Sequence, residues 1–395
     1  MDITLTSLET EHSQLLSNKI AAQITSDGGW IGFSRFMEMA LSEPGMGYYS
    51  AGAHKLGAGG DFTTAPELSP LFGAAICSTI LPVLEGLRAR GLPTQILEFG
   101  AGTGKLAQSI LTRLHDLGFS LDRYDIIEIS PDLAERQKEL LSTTLSRSNS
   151  ATQCQWLSAL PENYQGIILA NEVMDAIPCD AIIFQNGFWY WYGVTVVDGK
   201  FSWKAGKPVE QHLLPESLLS GNFSKGYVTE LHAPANAWIR QVAQHLQTGL
   251  FISFDYGFPE SEYYHPQRLE GTLMAHHRHH AIQDPFYLPG LCDITAHVEW
   301  SQIARSALTE NVDDVYLSNQ AGYLLDAGIG DIALEIGDPT NPETFLPISN
   351  ALQKLLSEAE MGELFKVFAF TKNIDTVLPG YTLEDLPGLR GRNRL

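Results

Sequence analysis

Between residues 95 and 175, short apolar runs alternate with stretches whose apolar positions recur every three or four residues. QILEF (95–99) is a compact apolar run ending in a glycine-rich turn, after which Leu106, Ile110, Leu111 and Leu114 fall on one helical face. YDIIEIS (124–130) repeats the strand pattern. Pro131 followed by DLAERQKELL then opens a second helix, with proline in its first turn and an acid near its N-terminus. A short strand near Gln155 and the apolar GIILANE (166–172) follow. Strands and helices in this alternation predict a mostly parallel sheet with helices on both faces.

The order then breaks. Residues 181–203, AIIFQNGFWYWYGVTVVDGKFSW, mix aromatic and β-branched residues around Asn186-Gly187 and Asp198-Gly199, which predicts two hairpins. A helix over about 235–247, opened by Pro234, leads to the buried strand GLFISFDYG (249–257), and FKVFAFTK (365–372) is the last strand after a long loop-rich segment. The predicted organisation is an N-terminal helical segment (1–90), a core (91–180 and 248–372) with a loop-rich insertion at about 257–313, a hairpin and helix insertion (181–247), and a loosely held tail (373–395). There is no internal repeat and no low-complexity tract.

Composition narrows the classes. With 395 residues, 44% of them hydrophobic, the chain can bury a large core. A formal charge of −21, from 25 basic and 46 acidic residues, repels nucleic acid and offers no polybasic patch to anionic lipid. Such a surface suits a basic protein or a cationic cofactor, and serves solubility equally well. Cys77, Cys154, Cys179 and Cys292 lie far apart without a CxxC pair, so neither a disulfide framework nor a zinc site is expected. The start, MDITLTSLETEH, has neither a secretory nor an organellar pattern, and the longest apolar stretch, about 71–84, is interrupted and reads as too short to span a bilayer. The expectation is a cytoplasmic protein without membrane insertion.

The chemistry starts at the glycine turn, EFGAGTGKLA (98–107). A phosphate-cradling Walker loop fails, because Phe99 and Leu106 stand where glycine and Ser or Thr are needed around Gly104-Lys105. The dinucleotide fingerprint fits only in its looser GxGxxA form. What fits without loosening is E-x-G-x-G-x-G: Glu98, Gly100, Gly102 and Gly104. That arrangement suits S-adenosylmethionine, a phosphate-free cofactor whose ammonium and sulfonium favour an acid near the turn. Glu128, at the end of the next strand, can accept both ribose hydroxyls. A tight turn with a solvated Glu128 is the plainer alternative.

Methyl transfer needs alignment more than covalent help. The end of the GIILANE strand carries Asn171, Glu172 and Asp175, where two acids beside an amide could clamp a planar guanidinium and localise its charge. Acids placed there for a helix dipole are the plainer reading.

The chain resembles, over nearly its full length, the family of S-adenosylmethionine-dependent methyltransferases that includes the mitochondrial complex I assembly arginine methyltransferase and bacterial MidA-like proteins. The resemblance rests on SRFMEMALSEPGMGYYS, GDFTTAPELSPLFG, LEFGAGTGKLA, IIEISPDLAERQ, NEVMDAIP, DYG, GTL, PGLCDITAHVEW and MGELFKVFAF. It implies a class I, Rossmann-like α/β fold, with a mostly parallel seven-stranded sheet, an antiparallel last strand and an inserted lid. It implies methylation of a protein arginine, in a respiratory-complex subunit for the mitochondrial member. In this frame Glu98 and the three glycines seat the methionine end and Glu128, with Ile129 adjoining, the ribose. Leu157 and Ser158 take the adenine, and Thr64 of GDFTTAPE is a further contact, although a helix cap explains Thr64 as well. The lack of an organellar presequence departs from the mitochondrial members and favours a bacterial cytosol. His276, His277, His279 and His280 read as a loop at the acceptor entrance, with no metal site, and WYWY (189–192) as hairpin packing. A small-molecule acceptor, a non-catalytic assembly factor and a homodimer stay open.

Overall fold

Strand by strand, the apolar runs line up as β1 (Gln95–Phe99), β2 (Arg123–Ile127), β3 (Gln153–Leu157), β4 (Tyr164–Asn171), β5 (Asp180–Gln185), β6 (Phe188–Val197), β7 (Lys200–Pro208) and β8 (Val228–Leu231). The chain continues through β9 (Leu246–Phe258), β10 (Met274–His277), β11 (His280–Ile282), β12 (Asp293–Thr295), β13 (Val298–Glu299), β14 (Asp314–Asn319) and β15 (Phe365–Lys372). This computed structural model describes residues 5–51, 64–278, 280–391, 393 and 395. It divides into two units, one drawn from 1–62, 174–237 and 258–299, the other from 63–173, 238–257 and 300–395.

The second unit holds the sheet β14-β15-β9-β4-β1-β2-β3. β1 runs parallel to β2 and β4, β2 to β3, and β4 to β9, whereas β15 is antiparallel to both β9 and β14. This is the class I methyltransferase arrangement. Near its centre Gly166 (φ 152°) faces Gly249 (φ 139°), and a Cβ built on Gly249 would lie 1.9 Å from the Gly166 carbonyl oxygen. No other residue fits this crossing.

The helix Leu71–Ala89 lies against the sheet's core with Leu71, Phe72, Ile76, Ile80, Val83 and Leu87 fully buried. Its Gly73 lets it approach the helix Lys105–Asp116, since a Cβ there would meet Ser109 Oγ at 1.9 Å. The stretch expected to be too short for a bilayer is a single helix of 19 residues, continuous past Pro82 and long and apolar enough to cross one by length and composition. Most of its surface is spent on the protein core.

Two further expectations need correction. The segment between β9 and β15 is not mainly loop: it carries β14 and the helices Trp300–Leu308, Gln320–Asp326, Ile329–Ile336 and Pro342–Leu356. Nor is the tail loosely held, for Ile374, Leu383, Leu386 and Leu389 are buried in the same core and Asp326 accepts the Gly388 amide at 2.6 Å.

The first unit contains the meander β7-β6-β5-β8 and the small sheet β11-β10-β12. Both expected hairpin turns are present, with positive φ at Asn186, Gly187, Asp198 and Gly199, which matches the twist of the flanking strands. The helix Ser7–Ser26 opens on a capping box between Thr6 and Glu9. Its Leu16, Ile20 and Ile24 share a core with Phe33, Phe36 and Met37 of the helix Phe33–Ser42 and with Val194 of β6. The histidine cluster is a hairpin instead of a loop: His277 pairs with His280 across β10 and β11, while His279 lies outside the described residues.

Candidate active site

The second unit gathers its chemistry at the carboxyl ends of β1, β2, β3 and β4, where open α/β sheets bind ligands. After β1 the chain turns through Gly100 (φ 58°), Gly102 (φ 54°) and Gly104 (φ 84°), all left-handed. A Cβ on Gly100 would meet Val173 Cγ2 at 3.3 Å, and one on Gly104 would meet Gln137 and Leu140 at 3.4 Å. At Gly102 nothing lies within 4 Å. Gly104 caps the helix Lys105–Asp116 without any side-chain cap, so its first amides stay available at the positive end of the helix dipole. Lys105 Nζ pairs with Glu67 Oε2 at 2.5 Å, and Thr103 also donates to Glu67.

Beneath the turn, Glu98 is 1% exposed and accepts the Tyr124 hydroxyl at 2.7 Å. Burial pushes its carboxyl up to about 7; the Tyr124 bond opposes this and the nearby Glu128 charge adds to it. Glu128 follows β2. Burial raises its pKa as well, against the pull of the Ser130 amide (2.9 Å), the Gln137 amide (3.0 Å) and the Ile129 backbone. Gln137, fully buried, ties three parts together: its Nε2 donates to the Gly102 carbonyl (2.8 Å) and to Glu128, while its Oε1 accepts the Trp156 indole (2.8 Å). Ile129 is 63% exposed, an apolar side chain offered to whatever lies beside Glu128. Leu157 ends β3 opposite Ile127, and Ser158 is exposed next to it. Thr64 caps the short helix Ala65–Leu68 through its backbone, with no side-chain cap bond; residues 60–63 of GDFTTAPE lie outside the described residues.

At the end of β4, Glu172 has φ 52°, a left-handed conformation that side chains other than glycine and asparagine rarely adopt. Its amide donates to the Phe254 carbonyl at 2.8 Å, which holds the backbone there. Asn171 Nδ2 reaches Glu172 Oε1 at 3.2 Å, and Asn171 Oδ1 is buried with no hydrogen-bond partner among the described residues. Strain and an unmet acceptor at one strand end are typical of functional sites.

Asp175 belongs to the first unit. It is buried, its carbonyl accepts the Ala296 amide at 2.9 Å, and its charge acts on Tyr49, whose hydroxyl donates to both carboxylate oxygens of Asp293 at 2.9 Å. Burial, then Asp293, then Asp175 raise the Tyr49 pKa. Glu67, Tyr124, Gln137, Trp156 and Asp293 were not singled out by the sequence. Gln137 had a signal, since it shares a helical stripe with Leu141 and Thr144, both buried. His277 Nδ1 bonds the Leu291 carbonyl at 2.8 Å, and no three His, Cys, Asp or Glu residues converge among the described residues.

Residues 75–316 match the family model described as an S-adenosyl-L-methionine-dependent methyltransferase. The chain belongs to that family. This methyltransferase is 45% identical to a Burkholderia thailandensis protein whose crystal structure holds S-adenosyl-homocysteine, with a TM-score of 0.87 over 95% of this chain and 97% of that one. It is also 27% identical to zebrafish (Danio rerio) protein arginine methyltransferase NDUFAF7, over 89% of this chain and 85% of the relative. The human counterpart is 27% identical over 86% and 80%. The cofactor of the methyltransferase is accordingly S-adenosyl-L-methionine, and the residues present suit it: an open left-handed glycine, uncapped helix amides, two carboxylates and an exposed apolar side chain. The expected cytoplasmic address does not stand, because the curated relatives from zebrafish, fly, mouse and human are all named as mitochondrial proteins.

Proposed function

We propose that this methyltransferase modifies the guanidinium of an arginine in a protein, with a respiratory-complex subunit among the candidate substrates. The observation that carries this reading is the strained, amide-bonded carboxylate of Glu172 at the end of β4, an acceptor suited to a planar cation. The relatives named as protein arginine methyltransferases support it.

The cofactor supplies a methyl group activated by positive sulfur. Gly100, Gly102 and Gly104 offer bare backbone to its methionine end, with Glu98 behind them as a buried counter-charge. Glu128 is assigned to the ribose hydroxyls with Ile129 beside it, Leu157 and Ser158 to the adenine, and Thr64 to the covering segment. Asn171 and Glu172 orient one guanidinium nitrogen, which forms the new N–C bond as the S–C bond breaks. Glu172 takes the displaced proton, so the products are methylarginine, S-adenosylhomocysteine and a proton. Asp175, buried in the first unit, is kept as a candidate acceptor residue in its own right.

Incubation with S-adenosylmethionine and an extract depleted of the enzyme tests the reading. Mass spectrometry should find methylarginine in a protein, and Glu172→Gln should abolish it while cofactor binding persists. Methyl groups only on other residues or on a small molecule would overturn the arginine assignment, and no S-adenosylhomocysteine at all would leave a binding protein.

A further inference from the structure

WYWY in β6 does more than pack a hairpin. Where the β6–β7 register shifts between Tyr190 and Tyr192, the first unit has a cleft of about 220 Å³, lined among others by Trp30, Asp180, Trp191, Tyr192, Lys207 and Glu210. Ligand pockets for whole cofactors run to several hundred Å³, so this volume suits one side chain. Trp30 is held in place: its indole Nε1 donates to the Lys204 carbonyl at 2.9 Å. Gly193 and Gly206 leave room for its ring, which a Cβ would meet at 2.4 Å and 2.9 Å. Asp180 is anchored by the Ser34 hydroxyl at 2.5 Å and sits at the start of the helix Phe33–Ser42; burial raises its pKa despite the bonds from Ser34. Part of that placement is helix capping. Capping does not explain why four aromatic residues, Phe33 among them, and a second carboxylate, Glu210, border the same space.

We propose that this cleft receives an arginine side chain of a bound polypeptide, its guanidinium held between aromatic residues and the carboxylates of Asp180 and Glu210. Aromatic faces attract cations, and guanidinium stacks on them while bonding carboxylates in its plane. Two carboxylates against the single ammonium of Lys207 leave the border negative, and Lys207 makes no ion pair among the described residues. The overall charge of −21 favours cations further and disfavours a phosphate or carboxylate ligand. The cleft lies wholly within the first unit, so this inference stands or falls apart from the acceptor assignment.

The test titrates the full-length enzyme with N-acetyl-arginine amide, its neutral isostere N-acetyl-citrulline amide, sodium acetate and a short arginine-containing peptide, following the Trp30 and Trp191 indole resonances by NMR, with Trp191 alone as the reporter in Trp30→Leu. Saturable binding of the arginine compounds, with none by citrulline or acetate and at least about tenfold tighter binding of the peptide, is the expected result. Trp30→Leu should weaken it about tenfold, and Glu210→Gln, at an exposed position that leaves the packing intact, about threefold. S-adenosylhomocysteine affinity and circular dichroism should not change in either variant. Equal binding of citrulline, preference for acetate, or wild-type affinity in Glu210→Gln with Trp30→Leu folded, would overturn the proposal. A peptide no tighter than the free amino-acid derivative would overturn its polypeptide part.

Discussion

Glu98 and Glu128 sit close enough to feel one another, yet the fold treats them differently. Glu128 keeps three donors and an edge toward solvent, so its role in binding is separable from its role in folding. Glu128→Gln should weaken S-adenosylhomocysteine binding by about 1.5–3 kcal/mol, roughly ten- to a hundredfold by calorimetry, with an unchanged circular dichroism spectrum. Glu98 has no solvent to fall back on. Its folded pKa of about 7 lies above the ordinary 4.5, so the proton it carries stabilises the fold fully below pH 4.5, and that contribution is lost as pH rises through 7. Thermal melts between pH 5 and 8 should therefore show Glu98→Gln gaining on the wild type as pH rises, by up to about 3 kcal/mol. A cationic cofactor favours the ionised form, so its affinity for the wild type should climb across the same range and stay flat in the variant. That the glycines, Glu98 and Glu128 gather around the ends of β1 and β2 was legible in the sequence, because their spacing is itself the signal. Tyr124 and Trp156 were not, because a hydroxyl or an indole in an apolar strand looks like core until its partner is known.

Two glycines have opposite reasons to exist. A methyl on Gly249 would run into the Gly166 backbone, and its strand pairing with Gly166 depends on the absence of side chains. Gly249→Ala should cost more than 3 kcal/mol and give insoluble or unfolded protein, as read by melting temperature and expression yield. Gly102→Ala should cost only about 1–2 kcal/mol for its left-handed backbone, because the space beyond is free, yet lose cofactor binding in calorimetry. A Gly102→Ala variant with wild-type affinity would remove the glycine turn from the site. β4, β9 and β15 could be read from the chain because each centres on a largely apolar run, IILA, LFISF and VFAF. β14, DVYLSN, was missed: it is short, and both ends are polar. The helices Ile329–Ile336 and Pro342–Leu356 hid behind Gly328, Gly330, Pro342 and Pro347, which read as loop, although Pro342 is the first residue of its helix, where proline is tolerated. The histidines of β10 and β11 misled for a related reason, since the cross-strand partner that makes them a hairpin cannot be seen in a single stretch.

The same difficulty applies to the whole chain, because its ends and middle are interleaved. Removing residues 374–395 should destabilise the second unit severely, since Ile374, Leu383, Leu386 and Leu389 each bury a side chain worth about 1.5–3 kcal/mol. Limited proteolysis and melting curves of the truncated protein would show it, and a wild-type melting temperature would refute the packing described for the tail. Each unit is also assembled from three stretches, and β4 and β9, neighbours in the central sheet, are separated in the chain by all of 174–237. β15 lies beside β9 but is among the last strands to be made. On a translating ribosome the nascent chain therefore carries a four-stranded fragment, β1 to β4, that gains β9 at residue 258, and the border of β9 that faces β15 stays unpaired until synthesis is nearly over. The cell must keep that border from pairing with a neighbour, and a message cut short anywhere before codon 365 yields a polypeptide that cannot close it.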